Sequence, residues 1–303
     1  MALPSPASSP GARTGILWML VTTLCFTGAN VGAKYLAQSY HPIEVTWGRF
    51  IFQALLLVPF LPLLFRHVRT RRPGLHVARS ACIIGSSFLL NVSLIWLPIA
   101  DASALIFTAP LIIAALSVVV LGEPVSARRW VAVAVGFGGA LVVVRPGLGI
   151  WQLAALLALG AALIFALVQI TTRMMSTTED ALSAFVISSL VSGVLSTVGV
   201  PFIWTAPDAA GWAVMVAMGG VGAIGQYTLF LAFQRSEAAA VAPYNYAGLL
   251  WAAIFGYLIF SDVPDPWTIA GATLIVASGL YLFRAERSGR GAAARDASPS
   301  RSP

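Results

Sequence analysis

The chemistry of this chain has to be sought in the few polar residues that interrupt long apolar runs. Lys34, the sole lysine, and Arg49 both lie inside such runs, with Glu44 about one helical turn from Arg49. A charge in hydrocarbon costs roughly 2.5–3.5 kcal/mol on insertion scales, so each needs a reason. Two readings stand open. The three residues form an ion-pair cluster from which Lys34 snorkels, or Arg49 belongs to an anion-recognising gate, gripping a carboxylate or phosphate with its planar fork. Asn30, one turn before Lys34, adds an amide to the same face. Asn91, Gln169, Gln226 and Asn245 are further amides at depth, suited to bonds between helices. A second constellation is Pro243-Tyr244-Asn245-Tyr246, followed by Gly248 and Trp251. Pro243 frees a carbonyl that must find another partner or a wet cavity. On a regular helix Tyr244, Gly248 and Trp251 share a face, leaving room for a flat ring between two aromatics. Phe107, Thr108 and Pro110 occupy a comparable place in an earlier run, and Tyr227 lies in another.

These residue types recognise; they do not break bonds. Catalysis at depth needs a nucleophile with its base, paired aspartates or a metal set. The acidic residues fall near the ends of the apolar runs, and His41, His67 and His76 are placed outside them. No enzyme activity, metal site or cofactor is expected, nor a proton relay through a midplane carboxylate. No basic face with an aromatic platform is visible, so nucleic acid is not an expected partner. Cys25 and Cys82 lie in apolar stretches and read as packing residues.

The elements that must position these groups follow from composition. Of 303 residues, 58% are apolar and only 10% charged, against about 25% charged in soluble domains. The runs are continuous rather than alternating, which indicates helices and not a membrane β-barrel. Ten spans are expected, at about 15–36, 43–65, 79–98, 102–121, 128–145, 151–172, 181–204, 212–234, 238–260 and 267–284. Residues 1–14 read as a disordered leader and 285–303 as a disordered basic tail. Fifteen of the 18 basic residues, Arg66 to Arg79 among them, then fall on one side, leaving Arg145 at the other and Lys34 and Arg49 within spans. The positive-inside rule places both termini in the cytoplasm.

The two halves repeat. Phe26, Asn30 and Lys34 correspond to Phe165, Gln169 and Arg173 at a constant offset of 139, and Gly122-Glu123 corresponds to Ser261-Asp262 at the same offset. Ala100-Asp101-Ala102 corresponds to Ser236-Glu237-Ala238 at an offset of 136. Five spans per half is odd, so the second half (148–284) must be inverted relative to the first (15–147). The expected fold is an all-α membrane protein of ten transmembrane helices in two inverted five-helix repeats.

The segments Phe26 to Leu36, Arg49, and Ala102 to Gly147, with Pro110, Gly122-Glu123 and the Gly-rich helix that follows, resemble the EamA-type carriers of the drug/metabolite transporter superfamily. The second copy departs from that pattern with Ser261-Asp262 where members often show Gly-Glu. The resemblance covers nearly all of the chain outside the tails. It implies a secondary carrier in a bacterial inner membrane that takes a small organic metabolite: an amino acid, a vitamin such as riboflavin, or a nucleotide-like solute. An efflux carrier of broad specificity, or a channel, are the alternatives. The residues expected to face the solute are Asn30, Lys34, Arg49, Asn91, Phe107, Tyr227, Tyr244, Asn245, Gly248 and Trp251.

Overall fold

A computed structural model describes residues 10–60, 70, 73–121, 127–145, 147, 149–175, 181–235 and 241–296. Every regular element among them is helical. The α-helices are α1 (Pro10–Leu36), α2 (Pro42–Leu57), α3 (Pro73–Ser93), α4 (Ile99–Ile106), α5 (Ala109–Leu121), α6 (Ala127–Val144), α7 (Ile150–Met175), α8 (Ala181–Ser196), α9 (Ala209–Arg235), α10 (Ala247–Phe260) and α11 (Pro266–Asp296). Short 3-10 turns extend α2 (Val58–Phe60) and α8 (Thr197–Phe202) and lead into α10 (Ala242–Tyr246).

The polarity is that of a protein dissolved in lipid. Thr22, Glu44, Asn91, Asp101 and Ser188 are buried, while Val194, Phe202 and Leu258 point outward. Among the described residues eight helical stretches are long and apolar enough to cross a membrane. α4 and α5 count as one of these, because Phe107 and Thr108 bend it without ending it. Pro110, in the first turn of α5, lacks the N–H that would continue α4 into it. Two of the ten expected spans fall short. The fifth is apolar only over Trp130–Val144. The ninth is divided at Pro243 into a 3-10 turn and the 14-residue α10.

Several boundaries differ from expectation. α3 begins at Pro73, six residues before the expected start of the third span, and so takes His76 and Arg79 into a helix where both are buried. A proline at the first helical position is preorganised for this start. α1 begins at Pro10, so residues 10–14 of the expected leader are helical. α11 runs to Asp296, so 285–296 of the expected tail are helical as well; that stretch is rich in alanine and arginine, both strong helix formers. Gly122-Glu123 and Ser236-Glu237-Ala238 lie outside the described residues.

Packing respects an exchange of the halves. α1 packs on α9 as α3 packs on α7, and α2 on α9 as α3 on α8. α1 meets α10 as α7 meets α4 and α5, and the pairs α2–α8 and α6–α11 map onto themselves. The α6–α11 contact is backbone on backbone. A Cβ on Gly139 would stand 2.7 Å from the Gly271 carbonyl oxygen, and one on Gly271 would stand 2.6 Å from that of Gly139. Only glycine admits this approach.

Candidate functional site

At the end of the bundle that carries Lys34, side chains tie the two halves together. The Lys34 ammonium pairs with the Asp262 carboxylate in the segment between α10 and α11, and lies 4.9 Å from the Phe260 ring centre. Asp262 can reach it because Ser261 ends α10 in a left-handed conformation, φ 58°, which turns the chain back over the helix end. Arg145, after α6, pairs with Asp265 and donates to Thr268 at 3.2 Å. Thr268 in turn donates to the buried Asp101 of α4. Burial works to raise the Asp265 carboxyl, yet the Thr268 amide and the Arg145 guanidinium hold it below its ordinary range. A third tie joins Tyr40, after α1, to Asp208, which caps α9. The Tyr40 hydroxyl donates at 2.9 Å and the Gly211 amide at 2.7 Å to the same carboxylate oxygen. These two donors, Gly211 first, hold the Asp208 carboxyl below its usual value. Trp47, Trp204 and Trp212 stack edge to face or tilted beside this tie, with centroids 5.5 to 6.2 Å apart.

The expected cluster of Lys34, Arg49 and Glu44 is not assembled. Lys34 goes to Asp262, and Arg49 donates to Asn30 Oδ1 at 3.2 Å. Glu44 is fully buried, and neither carboxylate oxygen accepts a hydrogen bond of good geometry from the described residues. The reason is helical direction: Glu44 and Arg49 are five residues apart on α2 and face different neighbours. Asn91 is buried on α3 and donates to Thr46 of α2 at 2.9 Å, leaving its Oδ1 without a partner among the described residues. Gln53, deeper on α2, donates to Ser189 of α8 at 2.9 Å.

The centre is built where two helices are interrupted. Phe107 sits at the break between α4 and α5, and Tyr246 ends the 3-10 turn before α10. Their rings lie 5.2 Å apart at 41°. Gly248 is buried against Phe107, whose Cζ would be 3.1 Å from a Cβ there, and its carbonyl accepts from Thr27 at 3.4 Å. The Tyr246 hydroxyl and the Trp251 indole nitrogen are buried without a hydrogen-bond partner among the described residues. The expected slot between Tyr244 and Trp251 is not formed. The 3-10 turn breaks the 3.6-residue register on which it depended, Phe107 fills the space beside Gly248, and Tyr244 is 38% exposed. Asn245 and Tyr227 are likewise exposed. Beside this centre an apolar groove of about 520 Å³ is lined by Ala100, Tyr246, Leu249, Ala253, Ala272 and others.

One group escaped the sequence reading altogether. Arg79, expected in a basic loop, is a buried side chain of α3 that donates through Nε to Thr172 of α7 at 2.8 Å and through Nη1 to Ser188 of α8. The available signal was Pro73 as a helix start. Tyr246 was visible in the sequence but was not placed among the site residues; only the helix break turns it inward.

Both halves of the chain are similar to known transporters. The model of the EamA-like transporter family matches residues 13–145 and again 152–284. An S-adenosylmethionine uptake transporter of Rickettsia felis is 31% identical over 278 residues, covering 90% of this chain and 94% of the relative. A riboflavin transporter of Rhizobium johnstonii is 28% identical over 283 residues, covering 91% and 92%. A solved crystal structure superposes with a TM-score of 0.62 at 17% identity, covering 91% of this chain and 98% of that one, which supports the fold alone.

Proposed function

The chain belongs to the EamA-like transporter family, and from that premise we propose that it is a secondary carrier moving a small organic metabolite across a bacterial inner membrane by alternating access. In this reading all ten helical rods span the bilayer as two inverted five-helix repeats, about 15–147 and 148–284. Both termini face the cytoplasm, and the Lys34 end faces outward. The observation that carries the proposal is the exchange symmetry of the packing, in which every major contact of one half has its counterpart in the other. Two equivalent arrangements of one set of contacts are what a rocking carrier needs.

The solute site is proposed around Arg49 and Asn30 and the interrupted helices at Phe107, Tyr246, Gly248 and Trp251. Arg49 offers a fork to a carboxylate, and the rings offer stacking faces worth about 0.5–1.5 kcal/mol each beyond area burial. A solute with a planar ring and an amino-acid end suits both. S-Adenosylmethionine, which has both, is therefore the first compound to test, and riboflavin, which offers the planar ring alone, the second. The ties of Lys34, Arg145 and Tyr40 close the outer mouth above this site.

Purified protein in liposomes decides the matter. Saturable uptake of labelled S-adenosylmethionine or riboflavin, competed by the unlabelled compound, is expected. Flux that rises linearly with concentration without saturating would make the protein a channel. Orientation is tested by single-cysteine labelling in a background lacking Cys25 and Cys82, where a cysteine at Ser302 should resist an impermeant reagent in intact cells.

A further inference from the structure

The offset of 139 that relates the halves carries Arg49 onto Ser188 and Asn30 onto Gln169. Ser188 stands seven residues into α8, as Arg49 stands seven residues into α2. The second half therefore has a hydroxyl where the first has a guanidinium. The structure restores the charge from another helix: Arg79 of α3 lays its Nη1 against that same Ser188 hydroxyl, and its Nε against Thr172, one turn beyond Gln169 on α7. Arg79 lies six residues into α3, about 9 Å along it from the end opposite Lys34. Arg49 lies seven residues into α2, about 10 Å from the Lys34 end.

Neither arginine has a counter-charge among the described residues. Arg49 meets an amide, and Arg79 meets two hydroxyls. Arg79 is only 8% exposed, so its charge is withdrawn from water without compensation, the arrangement that is most costly unless a ligand completes it. A guanidinium has five N–H donors, and two are used here. The wall beside it is polar. Ser192, one turn beyond Ser188 on the same face, keeps a buried hydroxyl without a partner among the described residues, and Ser80 donates to the Ser188 carbonyl at 3.4 Å.

We propose that Arg79 binds the carboxylate or phosphate of the transported solute at the end of the bundle opposite the Arg49 end, so that a guanidinium stands near each mouth of the pathway. The inference rests on the carrier function proposed above. The anionic group of the solute then meets a fixed guanidinium on entering from either side, and each arginine is paired in turn with that group rather than with a resident carboxylate. That choice keeps the site open, because a resident carboxylate would compete with the solute for the fork. The competing account is that Arg79 only ties α3 to α7 and α8.

The test uses full-length protein in nanodiscs of neutral phosphatidylcholine, as wild type, R79Q and R79K. Affinities are measured for S-adenosylmethionine and for its decarboxylated form, with inorganic phosphate as a second probe read by melting temperature. Wild type should prefer the carboxylate by at least about tenfold, one charge-assisted contact's worth at ~1.4 kcal/mol. R79Q should lose the preference, and R79K should keep part of it, since lysine retains the charge without the fork. Phosphate should raise the melting temperature of wild type and not of R79Q. A carboxylate preference that persists in folded R79Q overturns the inference, as does a wild type that shows neither preference nor phosphate stabilisation. If neither adenosyl compound binds but phosphate stabilises wild type alone, the anion site stands and S-adenosylmethionine falls as the solute. Where R79Q fails to fold, R79K decides: an undiminished preference there refutes a role for the fork. Loss of the preference when phosphatidylglycerol is added would give the site to a lipid headgroup and refute a soluble occupant.

Discussion

Breaking the Lys34–Asp262 pair should open the outer mouth, and the structure sets the size of the effect. The two side chains are 11% and 27% exposed, between a surface pair and a buried one. Exposed pairs contribute about 0–1 kcal/mol, and breaking a fully buried pair costs about 3–5 kcal/mol. An intermediate site should yield about 1–2 kcal/mol. The contact of Lys34 with the Phe260 ring, 4.9 Å away, survives removal of Asp262 and places the effect toward the lower figure. The pair joins α1 of one half to the segment between α10 and α11 of the other, so in the carrier proposed above it is made when the Lys34 end is closed and lost when that end opens. Asp262→Asn should therefore raise the open-to-closed ratio by about tenfold, since ~1.4 kcal/mol corresponds to a factor of ten. Spin labels at Gln38 and Val263, both exposed and one on each side of the pair, report the opening by pulsed electron resonance without touching the site. Wild type should give one dominant short distance, and Asp262→Asn a longer component increased by about that factor. Lys34→Ala in the Asp262→Asn background should add little, because the interaction is already gone. An unchanged distance distribution in folded Asp262→Asn, or additive effects of the two substitutions, would show that the pair is not a latch.

Arg49→Ala should reduce transport per folded molecule by at least an order of magnitude (about 1.4 kcal/mol or more for a charge-assisted contact). Arg145→Ala, at a helix end and paired with Asp265, should mainly alter stability; equal transport per molecule in Arg49→Ala and wild type removes Arg49 from the site. Tyr246→Phe deletes a buried hydroxyl that has no partner among the described residues, so the melting temperature should hold or rise, as an unsatisfied group costs about 1–3 kcal/mol. Solute affinity should fall several-fold if that hydroxyl faces the solute, and unaltered affinity places Tyr246 outside the pathway. Gly248→Leu should cost about 1–3 kcal/mol by overpacking, because even a Cβ there meets the Phe107 ring at 3.1 Å, and should abolish uptake; normal uptake means that Phe107 and Gly248 do not line the route. The Asp208 carboxyl is held below its ordinary value by Gly211 and Tyr40, so its contribution to stability is present above the unfolded pKa of about 3.9 and is lost as pH falls through the lower folded value. The melting-temperature difference between wild type and Asp208→Asn should then be constant from neutral pH to about pH 5 and close below pH 4; a difference that does not depend on pH means that the carboxylate charge is not what holds the tie.

What the sequence revealed and what it concealed divide along a physical line. Apolar runs of about 20 residues, the offset of 139 and the family resemblance are properties of whole segments, and they placed eight of the apolar spans and the two matched halves. Partner choice was not legible. Lys34 and Glu44 are ten residues apart and seemed natural partners, yet Lys34 takes Asp262, 228 residues away, because the helix pairing brings α1 beside α10. The slot between Tyr244 and Trp251 assumed an unbroken helix. Pro243 was recognised as freeing a carbonyl, but the consequence for register, a five-residue 3-10 turn, moved Tyr244 outward and Tyr246 inward.

Arg79 is the instructive miss. Read along the chain it belongs to a run of loop arginines, and the positive-inside rule absorbed it with the rest. The role proposed for it emerges only when the repeat offset is combined with the packing: the offset says where the second half ought to carry a charge, the sequence shows a serine there, and the structure shows another helix supplying the guanidinium to that serine. Repeats that diverge residue by residue can still conserve a field. Position in the pathway, rather than position in the alignment of the halves, is then what fixes where a cation must be, and a search for symmetry among residue types alone would have found none at this point.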